Sequence, residues 1–400
     1  MKVLFVTPGN PFEDYGGLSI YTRQAIESLI ESVKGIELTV LALVEGEESI
    51  GFKAKGCSDF PSARVIECHT KPPSTFTKIC SVFLSRSFNS MRFYNAALPQ
   101  ELYECKADVL VLNHRLSISV AKRFKRKADK VIYLSHNDEL NSVRSISDYA
   151  GSALMRFFVL REAEKIAHEE VDIMKLSSSV SFINKSDMGS YRQLVGDDIV
   201  TKSSVIPPYF SDPVAKIEER CDDLQILLVG SYDWLPKKKN AEWLANEVFP
   251  IVRRGFLGGV RLVIVGRGAD FLNIEDTAMI DVYSDVPSVE GFYRRCDVFA
   301  IPESQKGGIK LKAIEASSFK LPIVTTRAGA DGVGLLDNDS CLYAEDFDAE
   351  DFASKLIFML GDAGRRAAYG RSAYDVFTSS FTCGPVKAQW HNFWKEIEIN

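Results

Sequence analysis

The sequence predicts an α/β protein built from two doubly wound, parallel-sheet domains. Three observations point there. Short apolar runs alternate with longer segments of helical periodicity along all 400 residues. The runs are rich in Val, Ile and Leu and lack strict alternation, as strands covered on both faces do. The rhythm then breaks once, at "VIPPYFSDP" (205–213), and restarts. A chain of this length exceeds one ordinary core, so two domains are expected.

In the first half the strands are read at 2–7, 38–43, 63–68, 107–112, 130–135 and 179–184. Helices are expected from about Leu18 to Val33 and through much of 142–175. In the second half strands are read at 224–231, 260–266, 296–302 and 321–326, with helices near 238–254, 288–295, 309–319, 349–360 and 362–376. The expected domains are 1–205 and 206–384. The final segment, "PVKAQWHNFWKEIEI" (385–399), puts Trp390, Phe393, Trp394 and Ile397 on one helical stripe. That stripe packs back on the first domain or on its own; periodicity alone leaves both open.

Composition sets limits. The chain is 46% hydrophobic and 26% charged, with a net charge of −6, which does not indicate nucleic-acid binding. Its eight cysteines form no CxxC pair, which suits a reducing cytosol better than a disulfide framework or a zinc site. "MKVLFVTPGN" is not expected to act as a signal peptide, since its apolar run is only Val3 to Val6. No stretch approaches the roughly 20 apolar residues of a membrane span. A cytoplasmic chain is expected, with any membrane work done peripherally, from the inner face.

In doubly wound sheets ligands bind beyond the carboxyl ends of the strands, and three turns there are rich in glycine or lysine. In "TPGNPFEDYGGLSIY" (7–21), Gly16 and Gly17 directly precede a helix, where bare N–H groups can approach a ligand. A G-x-G-x-x-G fingerprint is missing, which argues against a dinucleotide cofactor. In "GSYDWLPKKKNAEWL" (230–244), Lys237, Lys238 and Lys239 sit at a helix start, where cations oppose the helix dipole unless an anion is near. A solvated charge run is the plainer reading of the same lysines.

In "GGIKLKAIEA" (307–316), Gly307 and Gly308 leave the first helical N–H groups free for phosphate oxygens. Lys310 and Lys312 point about 200° apart. Lys312 and Glu315 share a face. Facing a ligand, Lys312 neutralises phosphate and Glu315 accepts from a sugar diol. Facing water, they form an ordinary i,i+3 ion pair.

These residues carry a resemblance. "PESQKGGIKLKAIEASSFKLPIVTTRAGADGVG" resembles the nucleotide-sugar site of retaining GT-B glycosyltransferases of the glycosyl transferases group 1 class, family 4. "MKVLFVTPGNPFEDYGGLSIYTRQAI", "SHNDE", "FINKSDMGSY", "VIPPYF" and "ILLVGSYDWLPKKKNAEWL" are similar to other segments of that class, in its order. The resemblance implies two Rossmann-like domains facing across a cleft, and sugar transfer from a nucleoside-diphosphate sugar to a hydroxyl. That donor is a substrate, so no cofactor is expected, and no metal either.

The resemblance also implies roles. Gly230, Ser231 and one of Lys237–Lys239 contact the diphosphate, with Lys237 and Lys239 preferred. The Gly307–Gly308 turn, Ile309, Lys310 and Lys312 hold the distal phosphate and sugar. Glu315 binds ribose hydroxyls, and Thr325 and Thr326 lie near the base or phosphates. Gly16 and Gly17 close on the donor, and His136 faces the reacting sugar, although a lone histidine after a strand is often structural. Lys312, Glu315 and His136 are thus the expected catalytic residues.

One departure stands out. Many members carry E-x7-E; counting back eight from Glu315 reaches Gly307, and Glu303 serves only if the loop bends back. An epimerase, a sugar phosphorylase or a non-catalytic nucleotide-sugar binder remain alternatives. The acceptor is read as a glycan, a lipid-linked molecule or a cell-envelope component. "SVFLSRSFNSMRFY" (81–94) and the basic "KRFKRKADK" (122–130) suggest a membrane-facing surface, or equally a solvated helix end beside core aromatics.

Overall fold

The computed structural model describes residues 1–13, 16–46, 51–56, 63–71, 74, 81, 84–94, 98–104, 106–124, 128–213 and 222–399. Two compact units divide the chain. One joins Met1–Pro208 to Val386–Asn400, and the other is Tyr209–Pro385.

The first unit holds an eight-stranded sheet. Its strands are β1 (Lys2–Pro8), β2 (Glu37–Glu45), β3 (Gly51–Gly56), β4 (Ala63–Thr70), β5 (Ala107–Asn113), β6 (Ala128–Leu134), β7 (Ser179–Phe182) and β8 (Ser203–Val205), in the order β3-β4-β2-β1-β5-β6-β7-β8. Every pairing is parallel except β3 with β4. Val3, Leu4, Phe5 and Val6 are all buried, so neither face of β1 meets water. That is why the sequence shows a continuous apolar run there.

The second unit holds six parallel strands: β9 (Leu224–Val229), β10 (Val260–Gly266), β11 (Ile280–Ser284), β12 (Val298–Ile301), β13 (Ile323–Thr326) and β14 (Leu342–Ala344), ordered β11-β10-β9-β12-β13-β14. Successive residues of β9 feed different cores: Ile226 and Leu228 join one cluster, Leu227 the other. The seven parallel strands of the first sheet and six of the second give the two doubly wound domains predicted from the sequence.

The C-terminal helix, Cys383–Ile399, lays its stripe on the helix Gly17–Ser32. Trp390, Phe393, Trp394 and Ile397 are buried. Trp394 Nε1 donates to Ser28 Oγ at 3.0 Å, and Lys387 pairs with Glu27 at 2.9 Å and Glu31 at 2.8 Å. The end of the chain is thereby part of the first unit. No helix among the described residues is long and apolar enough to cross a membrane.

Candidate functional site

The second unit gathers its chemistry where β9 and β12 end. Gly230 N–H donates to the Val265 carbonyl at 3.0 Å. Gly266 has φ +143°, and a Cβ there would lie 1.7 Å from the Gly230 oxygen, so the two strand ends touch only because this residue is glycine. Ser231 Oγ accepts from Arg267 at 3.2 Å, and Arg267 also pairs with Asp233 at 2.6 Å. Arg267, in the "VGRG" turn after β10, is a cation the sequence reading passed over.

The helix Leu235–Trp243 follows, with Pro236 in its first turn. Its lysines part company. Lys237 turns toward the strand ends and lines a small cavity with Gly230, Tyr232, Asn240, Glu303 and Lys312. Lys239 does not join it; it is exposed and pairs with Glu242 at 2.8 Å, the plain i,i+3 outcome. Burial, with Lys312 and Lys310 nearby, lowers the Lys237 pKa against the opposing pull of Glu303. A second residue missed in the sequence, Asn240, is buried in this cavity with neither amide atom hydrogen-bonded. An unpaired buried amide costs about 1–3 kcal/mol, a penalty a polar ligand or water removes.

Beyond β12 the loop does bend back. Gly307 and Gly308 take φ of +102° and +64°, a left-handed path open to glycine. Lys310 Nζ donates to the Gln305 and Gly307 carbonyls at 3.0 Å each, closing the turn from inside. The bend brings buried Glu303 against the next helix, 2.5 Å from Lys312 Nζ and 3.4 Å from Lys310 Nζ. Burial alone would raise the Glu303 pKa, but Lys312, Lys310 and Lys237 hold it well below the usual carboxylate range. Three cations therefore surround one anion, an excess of positive charge at the carboxyl edge of the sheet.

The expected helix start is corrected here, and the plainer ion-pair reading of Lys312 and Glu315 is not met. The helix begins at Leu311, not at the glycines: Lys310 is its cap, and Ile309 accepts from Leu311 N–H at 3.1 Å. Lys312 and Glu315 do not pair; Lys312 reaches back to Glu303, while Glu315 accepts from Tyr293 Oη at 3.1 Å. Burial raises the Glu315 pKa, partly offset by that bond. Thr325 is buried with its hydroxyl on the Ile301 carbonyl at 3.2 Å, and Thr326 bonds the Glu303 carbonyl. Both threonines brace the strand ends and offer no hydroxyl at the surface.

In the first unit, Gly16 and Gly17 are exposed at the start of the helix Gly17–Ser32, with no side-chain cap. One turn on, the Tyr21 ring meets His136 edge-on at 4.8 Å. His136 follows β6, and its Nε2 lies 2.5 Å from Asn113 Oδ1. The chain of bonds fixes the tautomer. Thr7 and Thr22 hydroxyls donate to the Pro8 and Leu18 carbonyls, so they accept from Asn113 Nδ2, at 2.9 and 2.8 Å. Asn113 Oδ1 is then the acceptor, His136 Nε2 carries the proton, and Nδ1 keeps the ring's lone pair. Burial, with His114 close by, holds the His136 pKa well below 6.5.

The basic segment 122–130 is largely engaged where it is described. Lys122 pairs with Asp172 at 3.1 Å, Arg123 donates to the Tyr94 carbonyl, and Lys130 donates to the Ile397 carbonyl. Phe124 and Phe93 are core residues. Residues 125–127, 82 and 83 lie outside the described residues.

Comparison with known proteins agrees with this architecture. Residues 223–362 match the family model described as glycosyl transferases group 1. A Klebsiella pneumoniae protein, the uncharacterized 44.6 kDa protein in cps region, is 21% identical over 257 residues, covering 60% of this chain and 64% of its own length. The chain thus spans just under two thirds of that relative. Among solved structures, sucrose-phosphate synthase from Thermosynechococcus elongatus superposes with TM-score 0.73 at 16% identity, covering 100% of this chain and 99% of the other. Anabaena HepE in complex with UDP and glucose gives 0.62 at 11% identity, covering 99% and 100%. The chain has the fold of the GT-B glycosyltransferases, and its residues 223–362 are similar to the glycosyl transferases group 1 family.

Proposed function

We propose that this chain transfers a sugar from a UDP- or GDP-linked donor to a hydroxyl of a glycan or lipid-linked acceptor, in polysaccharide biosynthesis, with retention and without a metal. The observation that carries the reading is the cluster of Lys237, Lys310 and Lys312 around Glu303, beside the Gly230 backbone and the unpaired Asn240 amide. As the glycosidic bond breaks, negative charge grows on the leaving diphosphate. Cations already fixed in place stabilise that charge without reorganising, the largest single contribution in many enzymes. Lys237 and Lys312 are read as the groups that meet the phosphates, since Lys310 is spent on the turn. Glu303 is read as keeping Lys312 in place beside Lys237.

Glu315, held by Tyr293, is read as the acceptor for the ribose hydroxyls. His136, neutral and fixed by Asn113, is read as orienting a hydroxyl through Nδ1. The UDP bound by Anabaena HepE supports a uridine donor, although no residue here decides the base.

The test is a thermal-shift screen of UDP-, GDP-, ADP- and dTDP-sugars, followed by mass analysis with and without a sugar acceptor. Transfer, or slow donor hydrolysis, supports the reading. Acceptor-free conversion of the donor to another nucleotide sugar indicates an epimerase, and binding with neither outcome indicates a non-catalytic binder.

A further inference from the structure

The helix Ala153–Leu176 starts with a stretch its own unit does not cover. Leu154 is 65% exposed, Met155 54%, Phe157 57%, and Phe158 and Leu160 38% each. At about 100° per residue these side chains run right round the helix, so rotating it could not hide them all. Burial begins only at Ala163 and continues through Ile166, Ile173 and Met174. Contiguous apolar surface of this kind marks an interaction site more often than chance exposure.

Charge indicates what covers it. Residues 149–161, YAGSALMRFFVLR, contain two arginines and no acid. Arg156 is exposed, with no ion pair among the described residues, whereas Arg161 pairs with Glu164 at 2.9 Å. Arg144, on the adjoining helix Glu139–Ile146, is exposed as well, and Asp148 is the one acid between it and Arg161. The first helical turn of Ala153–Leu176 holds no acid either; Ser152 caps it, accepting from Met155 N–H at 3.2 Å, so no carboxylate offsets the positive dipole end.

We propose that this helix end docks on an anionic lipid surface, with Leu154, Met155, Phe157 and Phe158 entering the headgroup–acyl boundary and Arg144 and Arg156 meeting lipid phosphates. A second copy of the chain fits less well, because a two-fold pairing of this end would set like-charged arginines against each other. The surface differs from the 81–94 and 122–130 segments. The proposal does not rest on sugar transfer; either can fail while the other stands.

The full chain is floated with vesicles of phosphatidylcholine mixed with phosphatidylglycerol, and with phosphatidylcholine alone. Binding is expected to the mixed vesicles and to weaken with salt. Arg156→Ala should weaken it about fivefold, and Phe157→Ser/Phe158→Ser by about 30-fold or more. These positions are exposed, so the melting temperature should hold; Leu154→Gln/Met155→Gln is the second variant if it does not. Binding unchanged in both double variants, or absent from the mixed vesicles, overturns the proposal. So does self-association that both variants abolish without any vesicle binding.

Discussion

Lys312 Nζ lies 2.5 Å from the Glu303 carboxylate, nine residues back along the chain and across the Gly307–Gly308 turn. On the proposed reading, the carboxylate holds this cation in place for the diphosphate of the donor. Lys312→Ala should lower kcat/KM for transfer by about 10²–10³-fold. It also strips Glu303 of its nearest partner, at about 1–3 kcal/mol of stability. Lys312→Ala/Glu303→Gln should regain stability but not transfer. Thermal melts beside a transfer assay separate the two effects.

The three neighbouring lysines should not behave alike. Lys237 lines the cavity, whereas Lys239 is committed to Glu242. Lys237→Ala should weaken nucleotide-sugar binding by about tenfold or more, since a charge-assisted bond contributes roughly 1.5–3 kcal/mol. Lys239→Ala should stay within about twofold, as exposed pairs contribute little. Calorimetric titration of each variant checks this, and equal losses would count against the assignment.

Glu315 carries a pH signature. Its pKa is raised by burial, so it takes up a proton at a higher pH than an ordinary glutamate. A protonated carboxyl accepts ribose hydroxyls poorly. Donor affinity should therefore fall as pH drops, starting above the ordinary carboxylate range. Glu315→Gln should be weaker at neutral pH and flat across that window. Affinities measured from neutral to mildly acidic pH decide it.

Much of this was legible in the sequence. The buried strands β1, β2, β4, β5, β6, β9, β10, β12 and β13 announce themselves because both faces are covered. The strands missed, β3, β8, β11 and β14, are short or at sheet edges: β11 (IDVYS) leaves Val282 and Tyr283 exposed, and β8 and β14 have three residues each. The site was harder. Lys237, Lys310 and Lys312 stood out by charge, and Glu303 only as an acid out of register with E-x7-E; that it sits among these lysines depends on a positive-φ turn that residue spacing does not reveal. Asn240 and Arg267 gave no pattern at all, and only the fold brings them beside Gly230 and Ser231.

His136 should act on turnover, not on donor binding, since the groups read as meeting the phosphates, Lys237 and Lys312, lie in the other unit. His136→Ala should lower kcat by about 10–100-fold, at or below the usual range for a positioned acid–base group, with the donor KM little changed. Its depressed pKa keeps the imidazole neutral well below pH 6.5. The rate should show no inflection near that pH that His136→Ala removes. Asn113→Ala, which frees the ring, should reproduce part of the loss.

Glu139 ties the first unit's stability to acid. Burial would raise its pKa, but His114, at 3.4 Å, and Arg115, at 3.6 Å, bring it down to about 2. A carboxyl depressed in the folded state stabilises above its unfolded value, near 4.5, and that contribution is lost as pH falls toward 2. The loss is on the order of 3 kcal/mol. Glu139→Gln should be less stable at neutral pH and lose less on acidification, as denaturant titrations at the two ends of the window will show.

The most direct test of the cation cluster is calorimetric titration of the best-binding nucleoside diphosphate, with no metal and with EDTA present, into the wild-type chain and Lys312→Ala/Glu303→Gln. Saturable binding by the wild type, weakened at least tenfold in a variant that melts normally, is the predicted result. A folded variant that binds the diphosphate as tightly as the wild type would contradict the account.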